Sequence, residues 1–383
     1  MEPCILYENE SSTLFVIDIP TSIERVQGFH YSTQSRLLSV EPLQRPYPST
    51  EPSSSKKRSK FAEVPLQDLL LQKHLELAVC ELKARSEIKW CLDRETRQQI
   101  ETNIEEAKAD GTKAGDFYSP LSNQAIGTVQ NSGCTILFLE NYHATSTRIS
   151  WAGNYFRLPP RSTALLGPLS ETIDTFVKQA PIFNLITIDP PWPNRSARRK
   201  ADYQISYGLS EIKTLLLTIP LAAHCVDDGI VAVWVTNKPA FRSLLLSLFD
   251  HWGLSLAEEW VWLKITAQGE PMCKLTGLWR KPYEVLLIGC KNVASKKCLQ
   301  VKRRVILGVP DLHSRKPNMN QILEKSFGLK PGEYNGLEIF ARNLSAGWWG
   351  WGNDILKFQD EKYWVDLQRV SNLKADQKAR EKT

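Results

Sequence analysis

Residues 183–192, Phe183-Asn184-Leu185-Ile186-Thr187-Ile188-Asp189-Pro190-Pro191-Trp192, join an apolar run to one carboxylate, two prolines and a tryptophan. A short run rich in β-branched residues and closed by turn residues predicts a β-strand. Pro191 fixes its own φ at about −65° and biases its predecessor toward an extended shape, so the acid leaves the strand on a stiff support. Outward from this stretch, strand-like and helical runs alternate. "SEIKTLLLTIPLAAH" is helical, "GIVAVWVTN" strand-like and "KPAFRSLLLSLFDHWG" helical. "AEEWVWLKIT" and "YEVLLIGC" are strand-like, "KPNMNQILEKSFG" is helical with Asn318 as a cap, and "YNGLEIFAR" is strand-like. The alternation predicts an α/β fold with a mostly parallel sheet. Ligands of such sheets lie at the carboxyl ends of the strands. Asp189, Thr236-Asn237 and Arg342-Asn343 all follow strand-like runs, so three polar ends are expected to meet in one crevice.

The 383 residues suffice for about two domains, and 42% hydrophobic content supplies a core. No run approaches the roughly 20 apolar residues of a membrane span, and "MEPCILYENESS" lacks the basic flank and apolar core of a secretory signal. None of the eight cysteines forms a C-x-x-C pair, and the six histidines are scattered, so free thiols and no metal site are expected. A net charge of +6 permits a nucleic-acid partner without requiring one. Some of the twelve tryptophans are candidates for base stacking, although most should be core.

Four regions are expected. Residues 1–60 read as a poorly ordered segment, with "TLFVIDIP" as one short strand before a Ser/Pro/Lys-rich linker. The cluster Lys56-Lys57-Arg58-Ser59-Lys60 reads as a nuclear-import patch or, equally, as a solvated linker. Residues 61–155 read as a helical and β region, with one broken helix or two over 65–110, and from Thr128 to Leu166 "CTILFLENY" and "STALLGPL" read as strands split by turns that lead into the next domain. The catalytic domain is expected over 156–370 and a charged tail over 371–383.

The chemistry suited to Asp-Pro-Pro-Trp is methylation of an exocyclic amine on a nucleobase. The lone pair of that nitrogen is delocalised into the ring. An enzyme must therefore hold both N–H groups so that the lone pair points at the methyl donor. Asp189 can accept one N–H and the Pro190 carbonyl the other, with Pro191 stiffening both and Trp192 stacking on the base. The gain is positioning and preorganisation rather than strong base catalysis. Read alone, the four residues fit a strand end and rigid turn about equally well.

The surrounding motifs resemble the family of the messenger-RNA adenosine-N6 methyltransferase catalytic subunit, in its methyltransferase-like protein 4 branch. "FRLPPRSTALL", "IDPPWPNRSARRKADYQISYGLS", "AVWVTNK", "EEWVWLKIT", "KPYEVLLIG", "LHSRKP" and "EYNGLEIFARNLSAGWWGWGND" are similar to its segments, in its order, over about residues 155–365. The resemblance implies a circularly permuted Rossmann-type class I methyltransferase using S-adenosylmethionine. The absence of a G-x-G loop before Asp189 agrees with permutation. By resemblance, cofactor contacts fall to Asp189, Lys316 (methionine carboxylate), Glu338, Arg342, Asn343, Asn353 and Asp354, with Pro168 and Leu169 near the adenine. The sequence departs from the branch in "WWG", Asp354, Arg315 and Pro193. Trp348, Trp349 and Trp351 fit core better than contacts, while Gly350 and Gly352 suggest a ligand-lined turn.

For the substrate, Asn194, Arg195, Arg198, Arg199 and Lys200 follow the tetrapeptide and would meet phosphates. Tyr203, Tyr207 and Trp279 could stack on bases, and Lys281 could reach a phosphate. A second basic run, Lys296-Lys297 with Lys302, Arg303 and Arg304, reads as phosphate-binding or as a solvated loop. Such a pocket suits an unpaired or extruded adenine. The branch implies N6-methylation of 2′-O-methyladenosine in spliceosomal small nuclear RNA of the U2 type by a monomer, and the expected location is the nucleus, with the cytoplasm as an additional one. DNA adenine methylation and a non-catalytic RNA-binding partner are the competing readings.

Overall fold

The computed structural model describes residues 3–28, 35–48, 65–85, 87–96, 136–193, 208–277, 280–291 and 301–366. Its strands are β1 (Ile5–Glu8), β2 (Leu14–Ile17), β3 (Ser35–Leu37), β4 (Leu137–Glu140), β5 (Thr147–Trp151), β6 (Asn154–Leu158), β7 (Thr163–Leu166), β8 (Phe183–Ile188), β9 (Cys225–Val235), β10 (Leu254–Lys264), β11 (Tyr283–Lys291), β12 (Lys302–Gly308), β13 (Gly336–Ile339), β14 (Trp348–Gly352) and β15 (Trp364–Asp366). The helices are α1 (Ile19–Arg25), α2 (Leu66–Lys83), α3 (Leu169–Gln179), α4 (Leu209–Leu217), α5 (Leu221–His224), α6 (Pro239–His251) and α7 (Asn320–Phe327).

Eleven strands form one sheet in the order β1-β2-β12-β10-β11-β9-β8-β13-β14-β7-β4. The strands from β2 to β7 in this order run parallel except β11, which is antiparallel to both β9 and β10. The edge strands β1 and β4 are antiparallel to β2 and β7. The expected α/β architecture is thus observed. Side chains alternate between the faces along each strand. Val231, Val233 and Val235 pack with α2, α3, α4 and α6 in one core, whereas Ile230, Ala232 and Trp234 pack with α1 and α7 in the other. The near-continuous apolar runs of β8, β9 and β10 follow from this burial on both sides.

Helix ends follow their local chemistry. Pro220 separates α4 from α5 within the single run read as helical. Asn318 Oδ1 accepts from the Asn320 amide at 3.0 Å, so it caps α7 from just outside the helix, and left-handed Gly328 ends that helix.

Three expectations need correction. The N-terminal segment is not loosely packed where it is described: β2 pairs in parallel with β12, and Leu14 to Ile17 are all buried. The boundary at 155 falls inside the fold, because β4 joins the main sheet and β5 and β6 form a hairpin across it. Arg303 and Arg304 do not offer a phosphate site. They lie at the amino end of β12, opposite the crevice, where Arg304 grips Glu258 (2.6 Å) and Arg303 grips Glu259 (2.8 Å). Lys296 and Lys297, the cluster at 56–60 and residues 97–110 of the helical reading lie outside the described residues.

Candidate active site

Asp189 is the first residue beyond β8, and its amide donates to the Ile339 carbonyl of β13 at 3.1 Å. Thr187 and Glu338 are register partners, so Asp189, two residues past Thr187, leaves on the face that carries Glu338. Arg342 Nη1 reaches Asp189 Oδ2 at 2.7 Å, and Lys316 Nζ lies 3.2 Å from Oδ1. Each carboxylate oxygen thus faces its own cation. Arg342 also donates to the Ser314 carbonyl (3.3 Å) and approaches Asp354 (3.9 Å).

The prolines act locally as their chemistry requires. The Trp192 amide donates to the Pro190 carbonyl at 2.8 Å, closing a tight turn around Pro191. A carbonyl has two lone pairs, so one acceptor site of Pro190 is left for a ligand. Trp192 is less free than expected for a stacking residue. Its Nε1 is tied to the Trp234 carbonyl (2.7 Å) and its ring stacks on Phe241 at 5.0 Å. It is a fixed wall with one face already covered.

Lys316 belongs to a larger network that sequence reading missed. It pairs with Glu284 as well as Asp189, and Glu284 also meets Lys264 at 2.5 Å. Burial alone would lower the Lys316 pKa, but the Asp189 and Glu284 carboxylates overcome it and the value rises. Burial would raise Glu284, but the two lysines hold it far below the ordinary carboxylate range. The Lys316 ammonium also lies 5.0 Å from the Trp234 ring. The available signal was a single acid opening the apolar strand "YEVLLIGC". Only the antiparallel course of β11 brings its first residues to the carboxyl ends of β9 and β10.

Glu338 carries the opposite electrostatics. Burial and then the nearby Asp189 charge push its carboxyl up to about 8, against the lowering effect of Arg342. The buried Asn343 Nδ2 has no hydrogen-bond partner among the described residues. Phe340 has a φ of 60° and its amide donates to the Trp351 carbonyl at 2.7 Å, binding the end of β13 to β14. Gly352 has a φ of 148°, and a Cβ there would lie 3.1 Å from Phe340 Cα. That close approach sets the direction in which Asn353 and Asp354 leave the sheet. Gly350 has a packing reason instead, since a Cβ would strike Ile355 and Leu344.

The other expected residues divide. The Gly167 amide approaches the Gly352 carbonyl at 3.4 Å, bringing Pro168 beside the β14 end. Leu169, however, is a core residue packed in the sheet–helix cluster, so it offers little surface to an adenine. Asn353 is exposed and Asp354 half-exposed. Trp348 and Trp351 are core. Lys281 Nζ donates to the Leu275 carbonyl at 3.3 Å, turned toward its own loop. Asn194, Arg195, Arg198, Arg199, Lys200, Tyr203, Tyr207 and Trp279 lie outside the described residues. Asp189, Lys316, Glu338, Arg342, Asn343 and the Asn353-Asp354 pair therefore come from the ends of β8, β13 and β14 and the loop after β12.

Residues 183–354, which contain all of these, match the family model described as MT-A70. Over nearly its whole length the chain is similar to two fungal proteins named N6-methyladenosine RNA methyltransferase MTA1. That of Cryphonectria parasitica is 36% identical over 375 residues, 94% of each chain. That of Pyricularia oryzae is 36% identical over 398 residues, 97% of this chain and 99% of that one. The human N(6)-adenine-specific methyltransferase METTL4 is 35% identical over 246 residues, 61% of this chain and 50% of its own.

Proposed function

We propose that this chain, which belongs to the MT-A70 family, transfers a methyl group from S-adenosylmethionine to N6 of an adenine in RNA. The observation that carries this reading is Asp189, fixed at a strand's carboxyl end beside a free lone pair of the Pro190 carbonyl. When bound, the cofactor supplies an activated methyl group. The protein's share is positional. Asp189 and Pro190 accept the two N–H groups of the amine, turning its lone pair out of the ring plane, and Trp192 walls the base. Asp189 can accept this bond while still paired, because each carboxylate oxygen has a second lone pair.

The residues present fit the cofactor. Lys316 offers a cation to its carboxylate. Glu338, which accepts no hydrogen bond among the described residues, offers acceptors to ribose hydroxyls, and the unpartnered Asn343 Nδ2 offers a donor. A buried polar atom without a partner, as Asn343 Nδ2 is among the described residues, is costly in a finished core and is expected where a ligand completes it.

The finer reading is that the adenosine already carries a 2′-O-methyl, in U2-type small nuclear RNA within the nucleus, giving N6,2′-O-dimethyladenosine. It is supported by the likeness of the motifs to the methyltransferase-like protein 4 branch. One methyl-transfer assay with 2′-O-methylated RNA, unmodified RNA and DNA of the same sequence tests it. Preference for the 2′-O-methylated strand is expected. Equal rates on the two RNAs would refute the finer reading, and preference for DNA would refute the RNA assignment.

A further inference from the structure

We infer that the N-terminal part of the chain sets the cofactor site: Arg94 and the backbone at Leu38–Val40 hold, through Asp311 and Arg315, the loop that presents Lys316 to Asp189. This rests on the reading of Lys316 as a cofactor contact. The loop follows β12 and has no regular structure of its own. Four polar groups grip it from chain segments outside residues 183–354: Arg94, the Val40 amide, the Ser39 hydroxyl and the Leu38 carbonyl. Arg94 donates to the carbonyls of Val309 (2.7 Å) and Pro310 (2.9 Å) and lies 3.9 Å from Asp311. The Val40 amide donates to Asp311 Oδ1 at 2.9 Å and the Ser39 hydroxyl to Oδ2 at 3.3 Å. Arg315 pairs with Asp311 and donates to the Leu38 carbonyl at 2.8 Å, with its guanidinium 4.6 Å from the Phe358 ring. The next residue is Lys316, and the preceding Ser314, held at a φ of 71°, gives its carbonyl to Arg342.

The composition of the cluster argues for geometry rather than stability. Two guanidiniums share one carboxylate, and the side chains of Arg94, Arg315 and Asp311 are at most 1% exposed. The Nε atoms of both arginines and Nη2 of Arg315 have no partner among the described residues. An apolar cluster of equal volume would be at least as stable as such an underpaired ionic one. What the ions add is direction: carbonyls at 309 and 310 and a carboxylate at 311 are each met from a fixed side, which leaves Lys316 one path to Asp189. Arg94 and Asp311 are therefore positioning residues that act through Lys316.

Calorimetric titration of the full chain with S-adenosylmethionine, and fluorescence anisotropy with an adenine-containing RNA, test this on Arg94→Met, Lys316→Ala and the double variant. Arg94→Met is expected to weaken cofactor binding about tenfold to a hundredfold, the scale of a displaced contact, with RNA affinity unchanged. Because Arg94 acts through Lys316, the double variant should bind cofactor no worse than Lys316→Ala. Losses that add in full, or a folded Arg94→Met that binds like wild type, overturn the inference. Should Arg94→Met fail to fold, Arg94→Lys keeps the charge and removes the forked grip on the two carbonyls, with the same outcomes. Wild-type protein that binds no cofactor would sink the functional reading. Cofactor binding by wild type with an unaffected Lys316→Ala would sink only the role of Lys316 and this inference with it.

Discussion

Replacing Glu284 by Gln removes one negative charge from between two lysines while keeping the side chain's volume. Glu284 meets Lys264 at 2.5 Å and also meets Lys316, and all three side chains retain between 20% and 27% exposure. A surface pair contributes about 0.2–1 kcal/mol, and breaking a fully buried pair costs about 3–5 kcal/mol. Two pairs at this intermediate depth place the loss at roughly 2–3 kcal/mol. The pH dependence has a defined sign. Burial opposes the charge, but Lys316 and Lys264 hold the folded-state pKa far below its ordinary 4.5. The stabilisation is therefore complete above about pH 5 and is lost as pH falls below the ordinary carboxylate value. Urea unfolding of wild type and Glu284→Gln across this range checks it. The gap should be wide and flat from about pH 8 to 5 and narrow in acid. Cofactor affinity should fall too, because Lys316 loses one of its two anchors. A difference below about 0.5 kcal/mol at neutral pH, or a gap that persists unchanged in acid, would refute the assignment of Glu284 to the network.

Asp189→Asn should lower kcat/KM by at least about 10²-fold, the scale of one lost preorganised electrostatic contact, with an unchanged near-ultraviolet circular dichroism spectrum; near-normal turnover would sink the mechanism. Glu338 has a folded-state pKa of about 8 against an ordinary 4.5, so stability is greatest in acid and falls as pH rises through that interval. Glu338→Gln should consequently be more stable than wild type by a few kcal/mol at most above about pH 8, and the urea midpoints should converge near pH 5. Gly352→Ala should cost about 1–3 kcal/mol from its left-handed φ and its clash with the Phe340 backbone, read as a lower denaturation midpoint, and should weaken cofactor binding by moving Asn353 and Asp354.

What the sequence disclosed depended on whether a residue's partners lay nearby along the chain. β8 and Asp189 were legible, because a short, mostly apolar run closed by an acid and two prolines needs no distant information. The parallel α/β plan was legible for the same reason. Glu284 was not, since one acid at a strand start gains meaning only when β11 is known to run against its neighbours. Arg303 and Arg304 looked like a phosphate patch because their partners, Glu259 and Glu258, stand on another strand of the sheet. Trp192 was read as a free platform because Phe241, which covers it, comes from α6. The segment around Leu14 was read as loose because a four-residue strand beside a polar linker shows no sign of the parallel partner that buries it.

That pairing has a consequence for how the protein comes into being. Leu14 to Val16 leave the ribosome long before Val305 to Leu307, against which they lie. Throughout that interval the nascent chain carries an apolar strand whose template does not yet exist. Such long-range closure makes folding slow and leaves an open edge exposed to other chains meanwhile. A copy stopped short of residue 305 would thus lose more than a terminus: its first strand would have nowhere to dock.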